Sequence, residues 1–446
     1  MYAALVIFGS VFTFAGLLAI LFPYVRRRGD LLTSYNLFLL GSVNFVGIAS
    51  IQSGLSDRHY IFFTSGDVAR FIAGAIVFYV VLAWTYHRWR YPMRAATRRW
   101  QKWARPTTGV LLFVNILALL MGLLTFFAPQ IPGLAIIALT LGIYAVIFAV
   151  VFSFIAWYSS PLNPFLAIMM ALSLIYATII LLSGGISRQP LLSVCLIFPI
   201  SLYWLKWRYR GSLLTLAKMF FWGLAGLSIL GAFSVVRINK DRDAYNMERA
   251  IDRLTLMRDS LLDPAHARFF GGDATEVSLA VINRYNSWHD IHPFYTFYYV
   301  LSNPIPRLFW PDKPESLGTM MPRDLGVWER TGYVNWGPGV VGHGYHEGGL
   351  IMLVFYGVVI GGLLRLFDQL LIRQPHNPYI LSIFCTISGT IIAFPRGDWG
   401  IFTMQILGAV VTGLLINWIA RFFTRTTVQY SSEMEVIELN SMQLES

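Results

Sequence analysis

Three residues in the second half of the chain have side chains suited to proton transfer. His343, His346 and Glu347 lie within the glycine-rich run Gly342–Gly349. A histidine or a glutamate at such a place can act as a general base on a hydroxyl group, and we predict His343 and Glu347 as the catalytic residues. No ligand spacing in the chain matches a known zinc motif. We therefore predict neither a metal nor a cofactor.

A second group of candidates consists of cations on one side of the predicted topology. A guanidinium pairs bidentately with phosphate oxygens, so these residues predict an anionic ligand, with pyrophosphate as one candidate. The alternative is that they reach lipid phosphates or pair with nearby carboxylates such as Asp67, Asp398 and Glu315. The candidates are Arg307, Lys313 and Arg396, followed by Arg284 and Arg70.

Aromatic residues are dense in the segment Trp288–Tyr299. Aromatic rings are common at membrane interfaces, where they are half solvated, and an interfacial belt is one interpretation of this segment. Rings also stack on the apolar faces of sugars, which makes a sugar site the other interpretation. The predicted sugar platforms are Trp288, Tyr295, Trp310 and Trp336.

Several segments must position these residues. The apolar spacing predicts amphipathic helices over Asp241–Leu262 and about Thr275–Trp288. Repeated prolines exclude a helix over Asn303–Glu315, and we predict a stiff, extended ribbon that presents Arg307 and Lys313. The glycines that follow allow the backbone to approach a ligand closely.

The composition predicts a membrane protein. The chain has 446 residues, of which 56% are hydrophobic and 13% are charged, whereas a soluble domain has about 25% charged residues. A helix needs about 20 apolar residues to cross the hydrocarbon core. The sequence therefore predicts an all-α polytopic membrane protein with about eleven spans, near 3–22, 35–55, 68–88, 110–129, 134–158, 165–186, 190–206, 219–238, 350–371, 379–395 and 399–422.

Orientation follows from the basic loops. The net charge of +11 is concentrated in alternate loops, the pattern that marks the cytoplasmic side and that argues against nucleic-acid binding. The N-terminus is then outside and the C-terminus inside. The predicted units are an N-terminal bundle of about eight spans (1–240), a large extracytoplasmic loop (241–349), three C-terminal spans (350–423) and a disordered cytoplasmic tail (424–446).

Three segments together resemble the bacterial Wzy-type repeat-unit polymerases, which make O-antigen, capsule and exopolysaccharide. They are Pro306–Pro314, the run Gly342–Gly349 that enters a span, and the turn Arg396–Asp398 between late helices. The resemblance covers mainly residues 284–400. One departure is that a Glu-x-Tyr type pattern is expected before the ninth span, where this chain has His343 to Glu347.

The resemblance implies a GT-C-like, metal-independent glycosyltransferase in the bacterial cytoplasmic membrane, with its large loop in the periplasm. The donor would be a growing glycan on polyprenyl pyrophosphate. The acceptor would be the non-reducing end of a new lipid-linked repeat. A chain-length regulator and a flippase would be its partners.

Two alternatives remain open. The late, large outer loop also resembles the O-antigen ligases. A lipid-linked oligosaccharide flippase or another transporter is the second alternative, but transporters place charges at mid-membrane. The predicted spans contain almost no such charges.

Overall fold

The computed structural model describes residues 1–56, 63–97, 106–127, 135–183, 188–208, 213–238, 255, 274–285, 291–325 and 336–424. Every regular element in this part of the chain is helical. In chain order the helices are α1 (Tyr2–Val25), α2 (Ser34–Leu55, with a π-helical stretch at Val43–Ile48), α3 (Ser65–Arg88), α4 (Arg90–Thr97), α5 (Thr108–Phe127), α6 (Ala135–Ser159), α7 (Pro164–Ser183), α8 (Arg188–Trp207), α9 (Leu213–Ile238), α10 (Ala274–Arg284), α11 (Tyr295–Ser302), α12 (Leu317–Asp324), α13 (Gly339–Glu347), α14 (Leu350–Arg373), α15 (Pro378–Ala393) and α16 (Trp399–Thr424).

Nine of the described helices are long and apolar enough to cross a membrane: α1, α2, α3, α5, α6, α7, α8, α14 and α16. The predicted polytopic, all-helical class is therefore confirmed. The other two predicted spans fall on α9 and α15, whose apolar stretches Leu213–Gly226 and Pro378–Ala393 are shorter. The number of crossings and their orientation stay predictions.

The core of the bundle is built around α6. Its side chains from Tyr144 to Ala156 are all buried, and it packs against α5, α7, α15 and α16. Helix α15 lies between α8 and α2. It begins at an Asn377 cap, whose Oδ1 accepts the backbone N–H of Tyr379 at 3.0 Å, followed by a proline at the first position, where no N–H is needed.

One end of the bundle is joined by buried carboxylates. Asp368 of α14 accepts the backbone N–H of Ser34 at 2.6 Å and the hydroxyl of Tyr86 at 2.6 Å. Arg208, just after α8, pairs with Asp30 at 2.8 Å. These contacts bring the start of α2 together with the ends of α3, α8 and α14, as the alternation of the predicted spans requires.

The sequence predicts that buried charges in the spans are nearly absent, and the described structure has three in or beside the predicted spans. Asp67 and Asp368 are each 0% exposed, and Arg365 is 8% exposed. Asp67 caps its own helix by accepting the backbone N–H of Thr64 at 2.8 Å, and Asp368 accepts N–H groups at the start of α2. Both carboxylates satisfy helix N-termini, which accounts for their burial without a transport role.

The large loop is folded against the bundle wherever the structure describes it. The predicted helix at 275–288 is confirmed as α10 over its described residues, and it packs against α2, α3 and α13. The predicted helix at 241–262 lies outside the described residues, apart from Thr255, and so does the tail beyond Thr424.

The prediction of an extended ribbon over 303–315 is wrong. The segment is not helical, but it folds into consecutive turns, with Phe309 N–H donating to Pro306 O at 3.0 Å. The Lys313 ammonium donates to the carbonyls of Asn303 and Ile305, both at 2.8 Å. Proline has no backbone N–H, so this segment offers few backbone donors to its own carbonyls. The buried Lys313 ammonium supplies two of the missing hydrogen bonds.

Candidate functional site

Helix α13 lies at the centre of the candidate site, between α3, α10, α14 and α16. It ends at Gly348 and Gly349, which have φ values of 147° and 66°. Such values favour glycine, so the chain can stop α13 there and begin α14 in a new direction. A Cβ at Gly344 would lie 2.4 Å from the Leu353 side chain. Glycine at 344 thus lets α13 pack directly on α14.

The two predicted catalytic residues lie on one face of α13, one helical turn apart. The Nδ1 atom of His343 is 3.7 Å from Oε1 of Glu347. The Thr296 hydroxyl lies 2.5 Å from that oxygen and 3.2 Å from Nδ1. The Tyr356 hydroxyl donates to the other carboxylate oxygen at 2.5 Å. His343 is 1% exposed and Glu347 is 0% exposed, so the pair is fully enclosed.

The partners of His343 fix the direction of this network. The backbone N–H of Trp399 donates to Nε2 at 3.0 Å, so Nε2 is an acceptor and Nδ1 carries the ring proton. Nδ1 then donates to the Thr296 oxygen, and the Thr296 hydroxyl donates to Glu347. The Nε2 lone pair of His343 is engaged by the Trp399 N–H. Glu347 is the acceptor at the end of this series of hydrogen bonds.

The turn between α15 and α16 forms the floor of the site. The predicted tight turn at 395–398 is confirmed, and Val340 N–H donates to Pro395 O at 3.2 Å. Asp398 accepts the Gly318 N–H at 2.7 Å and caps α16 through the Gly400 N–H at 3.0 Å. Helix α13 and the turn therefore meet backbone to backbone, and the Asp398 carboxylate of the turn binds the backbone of Gly318, four residues after Pro314.

Close packing at this turn requires glycine. A Cβ at Gly337 would lie 2.3 Å from the carbonyl oxygen of Arg396. Gly339 has a φ of 67° and donates its N–H to Gly397 O at 3.3 Å. In the described structure, these glycines allow the backbone before α13 to pack directly on the backbone of the turn at 395–398.

His346 lies on the other side of α13, enclosed by rings. Its imidazole contacts the rings of Tyr285, Tyr295 and His292 at centroid distances of 4.7, 5.3 and 5.4 Å. It is 0% exposed, and neither ring nitrogen has a hydrogen-bond partner. Burial, followed by the nearby His343 and His292, lowers the pKa of His346 to about 3. The ring is neutral and a weak base, with one donor and one acceptor unused.

The predicted phosphate ligands are distributed over several elements. Arg307 is half exposed and donates to Pro311 O at 2.8 Å, while the buried Lys313 is engaged by two carbonyls. Arg70 pairs with Asp67 at 3.3 Å. Only Arg307 and Lys313 share a segment.

The remaining two arginines lie against aromatic rings. The Arg396 guanidinium is 5.7 Å from the ring centre of Phe45, and that of Arg284 is 5.5 Å from the ring of Tyr285. Arg323, a loop cation that was not selected as a phosphate ligand from the sequence, pairs with Glu315 at 3.1 Å and is 57% exposed. Arg307 and Arg323 thus flank one carboxylate near the surface.

The predicted sugar-stacking residues have different contacts in the structure. Tyr295 donates its hydroxyl to Glu315 O at 2.7 Å. Trp310 meets the ring of Tyr298 edge-on at 6.1 Å. Trp336 packs on the apolar cluster that joins α10 and α12. Trp288 lies outside the described residues.

Three residues of the network were missed by sequence reasoning: Thr296, Tyr356 and Trp399. Thr296 is a hydroxyl residue inside an aromatic run, which is a weak signal at most. Tyr356 lies on α14, beyond the glycine break, and Trp399 contributes a backbone N–H. No one-dimensional spacing connects them with His343 or Glu347.

No protein-family model, no curated protein and no solved structure matches this chain. Among the described residues, no group of three or more His, Cys, Asp and Glu side chains could hold a metal ion.

Proposed function

We propose that this protein is a membrane glycosyltransferase that polymerises lipid-linked oligosaccharide repeats. The observation that carries the proposal is the buried Glu347 carboxylate, which accepts hydrogen bonds from two hydroxyls and lies in one of the segments that carry the resemblance. The proposed setting is the bacterial cytoplasmic membrane, with the loop at 241–349 in the periplasm, and a GT-C-like topology with the N-terminus outside.

In the proposed reaction, the acceptor hydroxyl oxygen attacks the anomeric carbon of the donor sugar that is bonded to pyrophosphate. The bond between that carbon and the pyrophosphate oxygen breaks, and polyprenyl pyrophosphate leaves with the bonding electrons. The acceptor proton passes to the Thr296 oxygen while the Thr296 proton passes to Glu347. Glu347 ends as the neutral acid, and His343 acts as a positioning residue that orients Thr296.

Polyprenyl pyrophosphate can leave without being protonated when cationic side chains neutralise its negative charge. We propose that Arg307 binds it, together with Arg396 from the turn and with Lys313, Arg284 and Arg70 in the same role. Support comes from Arg307 and Arg323, whose exposed guanidinium groups flank Glu315. Two guanidinium groups share the single charge of Glu315, so one of them is available to pair with an anion.

The partners in this proposal are lipid-linked oligosaccharides, with a flippase that delivers them and a regulator of chain length. The aromatic side chains Tyr295, Trp310 and Trp336, and Trp288 in the preceding segment, remain the proposed sugar contacts. Neutral sugars bind through ring stacking and hydrogen bonds.

The test is deletion of the gene in its host, with electrophoresis of the surface glycan and of the lipid-linked pool. Polymerase function predicts collapse of a ladder to a single repeat, restored by the wild type but not by Glu347→Gln or Arg307→Ala. Full-length polymer stranded on the carrier would instead indicate a ligase. Loss of the ladder with unpolymerised repeats held on the inner side would indicate a transporter, and an unchanged ladder would remove the polymerase function.

A further inference from the structure

Helix α11 has the polarity opposite to that of a helix in water. Its buried positions include Thr296 and Ser302, at 6% and 3% exposure. Its exposed positions are apolar or aromatic, with Tyr298 at 51% and Leu301 at 77%. A helix on a soluble surface turns its apolar stripe inward. An apolar outer face combined with a polar inner face is instead typical of contact with lipid.

The turns after α11 extend the same surface. Leu308 is 70% exposed and Phe309 is 77% exposed. Lys313 holds these turns against the end of α11, because its ammonium donates to the carbonyls of Asn303 and Ile305. Two large apolar side chains are therefore held in exposed positions by a buried cation.

This surface is continuous with the lipid-facing side of a span. The rings of Phe294 and Phe297 contact that of Phe355, at centroid distances of 5.5 and 5.9 Å. Phe355 lies in the second turn of α14, beside Ile351, which is 74% exposed. Helix α14 is one of the helices that can cross the membrane, so lipid that covers its first turns also reaches α11.

Two exposed arginines lie close to this apolar surface. Arg307 is 51% exposed and Arg323 is 57% exposed, on either side of Glu315. Arginines at the edge of an apolar membrane-contacting surface pair with lipid phosphates at headgroup level. Apolar and cationic side chains thus lie side by side along 294–323, with Arg307 directly before the exposed Leu308 and Phe309.

We propose that α11 and the following turns form a membrane-embedded segment, with Leu301, Leu308 and Phe309 among the acyl chains of the leaflet on the loop side. The partner is the bilayer lipid itself. An interfacial helix of this kind lies about 5–10 Å into the boundary between headgroups and acyl chains. The proposal concerns this surface alone and does not depend on the chemistry proposed above.

The test uses the full chain in liposomes, with Cys195→Ser and Cys385→Ala, and one spin label at a time. Labels at Phe309→Cys and Leu301→Cys are expected to collide more with oxygen than with a water-soluble nickel chelate. Ile351→Cys, on a span, provides the lipid reference. Ser160→Cys, in the exposed turn between α6 and α7, provides the water reference.

A nickel-dominated signal at either test position, as at Ser160→Cys, overturns the proposal. An oxygen-dominated signal at both, as at Ile351→Cys, supports it. If the label at Phe309 impairs folding, as judged by size-exclusion chromatography, Leu308→Cys takes its place, because Leu308 is 70% exposed and its loss removes little packing.

Discussion

His343 and Glu347 are neighbours on α13, yet they interact through a third residue. Their closest polar atoms are 3.7 Å apart, and the Thr296 hydroxyl bridges them at 3.2 and 2.5 Å. Because Thr296 belongs to α11, the geometry of the pair depends on how α11 sits against the bundle. The site is therefore assembled from two helices that lie far apart in the sequence.

Thr296→Val should abolish polymer, whereas Thr296→Ser should retain it. Valine preserves the shape but leaves Glu347 Oε1 and His343 Nδ1 without their shared partner. Loss of general-base assistance lowers a rate by about 10²–10⁴-fold. The measurement is the transfer rate with lipid-linked repeats in proteoliposomes, with the melting temperature as the check on folding. Equal rates for Val and Ser would refute the relay.

His346→Phe should remove a loss of stability at acid pH. The folded pKa of His346 is about 3, below an unfolded value of about 6.5, so only the unfolded state binds this proton between those values. Stability therefore falls as the pH drops from about 6.5 towards 3, by at most about 1.4 kcal/mol per pH unit, and is unaffected above 6.5.

The measurement for His346 is the melting temperature of the wild type and His346→Phe at pH 7.5 and pH 5. The variant should gain on the wild type at pH 5, because it has no imidazole to protonate and no unpaired ring nitrogens. The exposed His376→Phe, which is not among the groups that lower the pKa of His346, serves as the control and should leave the pH dependence in place. If the melting temperature of His346→Phe fell between pH 7.5 and pH 5 as much as that of the wild type, His346 would not be the source of the acid sensitivity.

Arg307→Glu and Arg396→Glu should each abolish polymer while the protein level holds. Reversal of charge repels a pyrophosphate leaving group, whereas neither side chain is part of the apolar core. Arg94→Glu, an exposed substitution on α4, is the control and should leave the polymer ladder intact. Polymer of normal length in both test variants would remove the pyrophosphate role.

Gly337→Ala should destabilise the protein, whereas Gly223→Ala should not. A Cβ at 337 would approach Arg396 O to 2.3 Å, but one at 223 would meet nothing within 4 Å. Overpacking costs about 1–3 kcal/mol, while alanine for glycine in an exposed helix is neutral or favourable. Thermal unfolding of the two variants in detergent distinguishes them, and similar melting temperatures would contradict the backbone contact.

Local patterns in the sequence predicted the elements well. The long apolar runs became helices, the turn at 395–398 formed as expected, and α10 buried Val277, Leu279, Val281 and Ile282. The proline-rich segment was wrongly predicted to be extended, because prolines exclude a helix but do not choose between a ribbon and turns. The Lys313 contacts that select turns involve carbonyls eight and ten residues earlier.

The sequence by itself determined that this is a helical membrane protein, since hydropathy over about 20 residues is a local property that lipid reads directly. It also singled out His343 and Glu347 as the candidate catalytic residues, but helix α13, which puts them on one face, was not predicted. Only the tertiary structure brought Thr296, Tyr356 and Trp399 to them and turned the apolar face of α11 outward. Hydrogen-bond partners 51 and 56 residues apart are chosen by packing between helices, which no local pattern encodes.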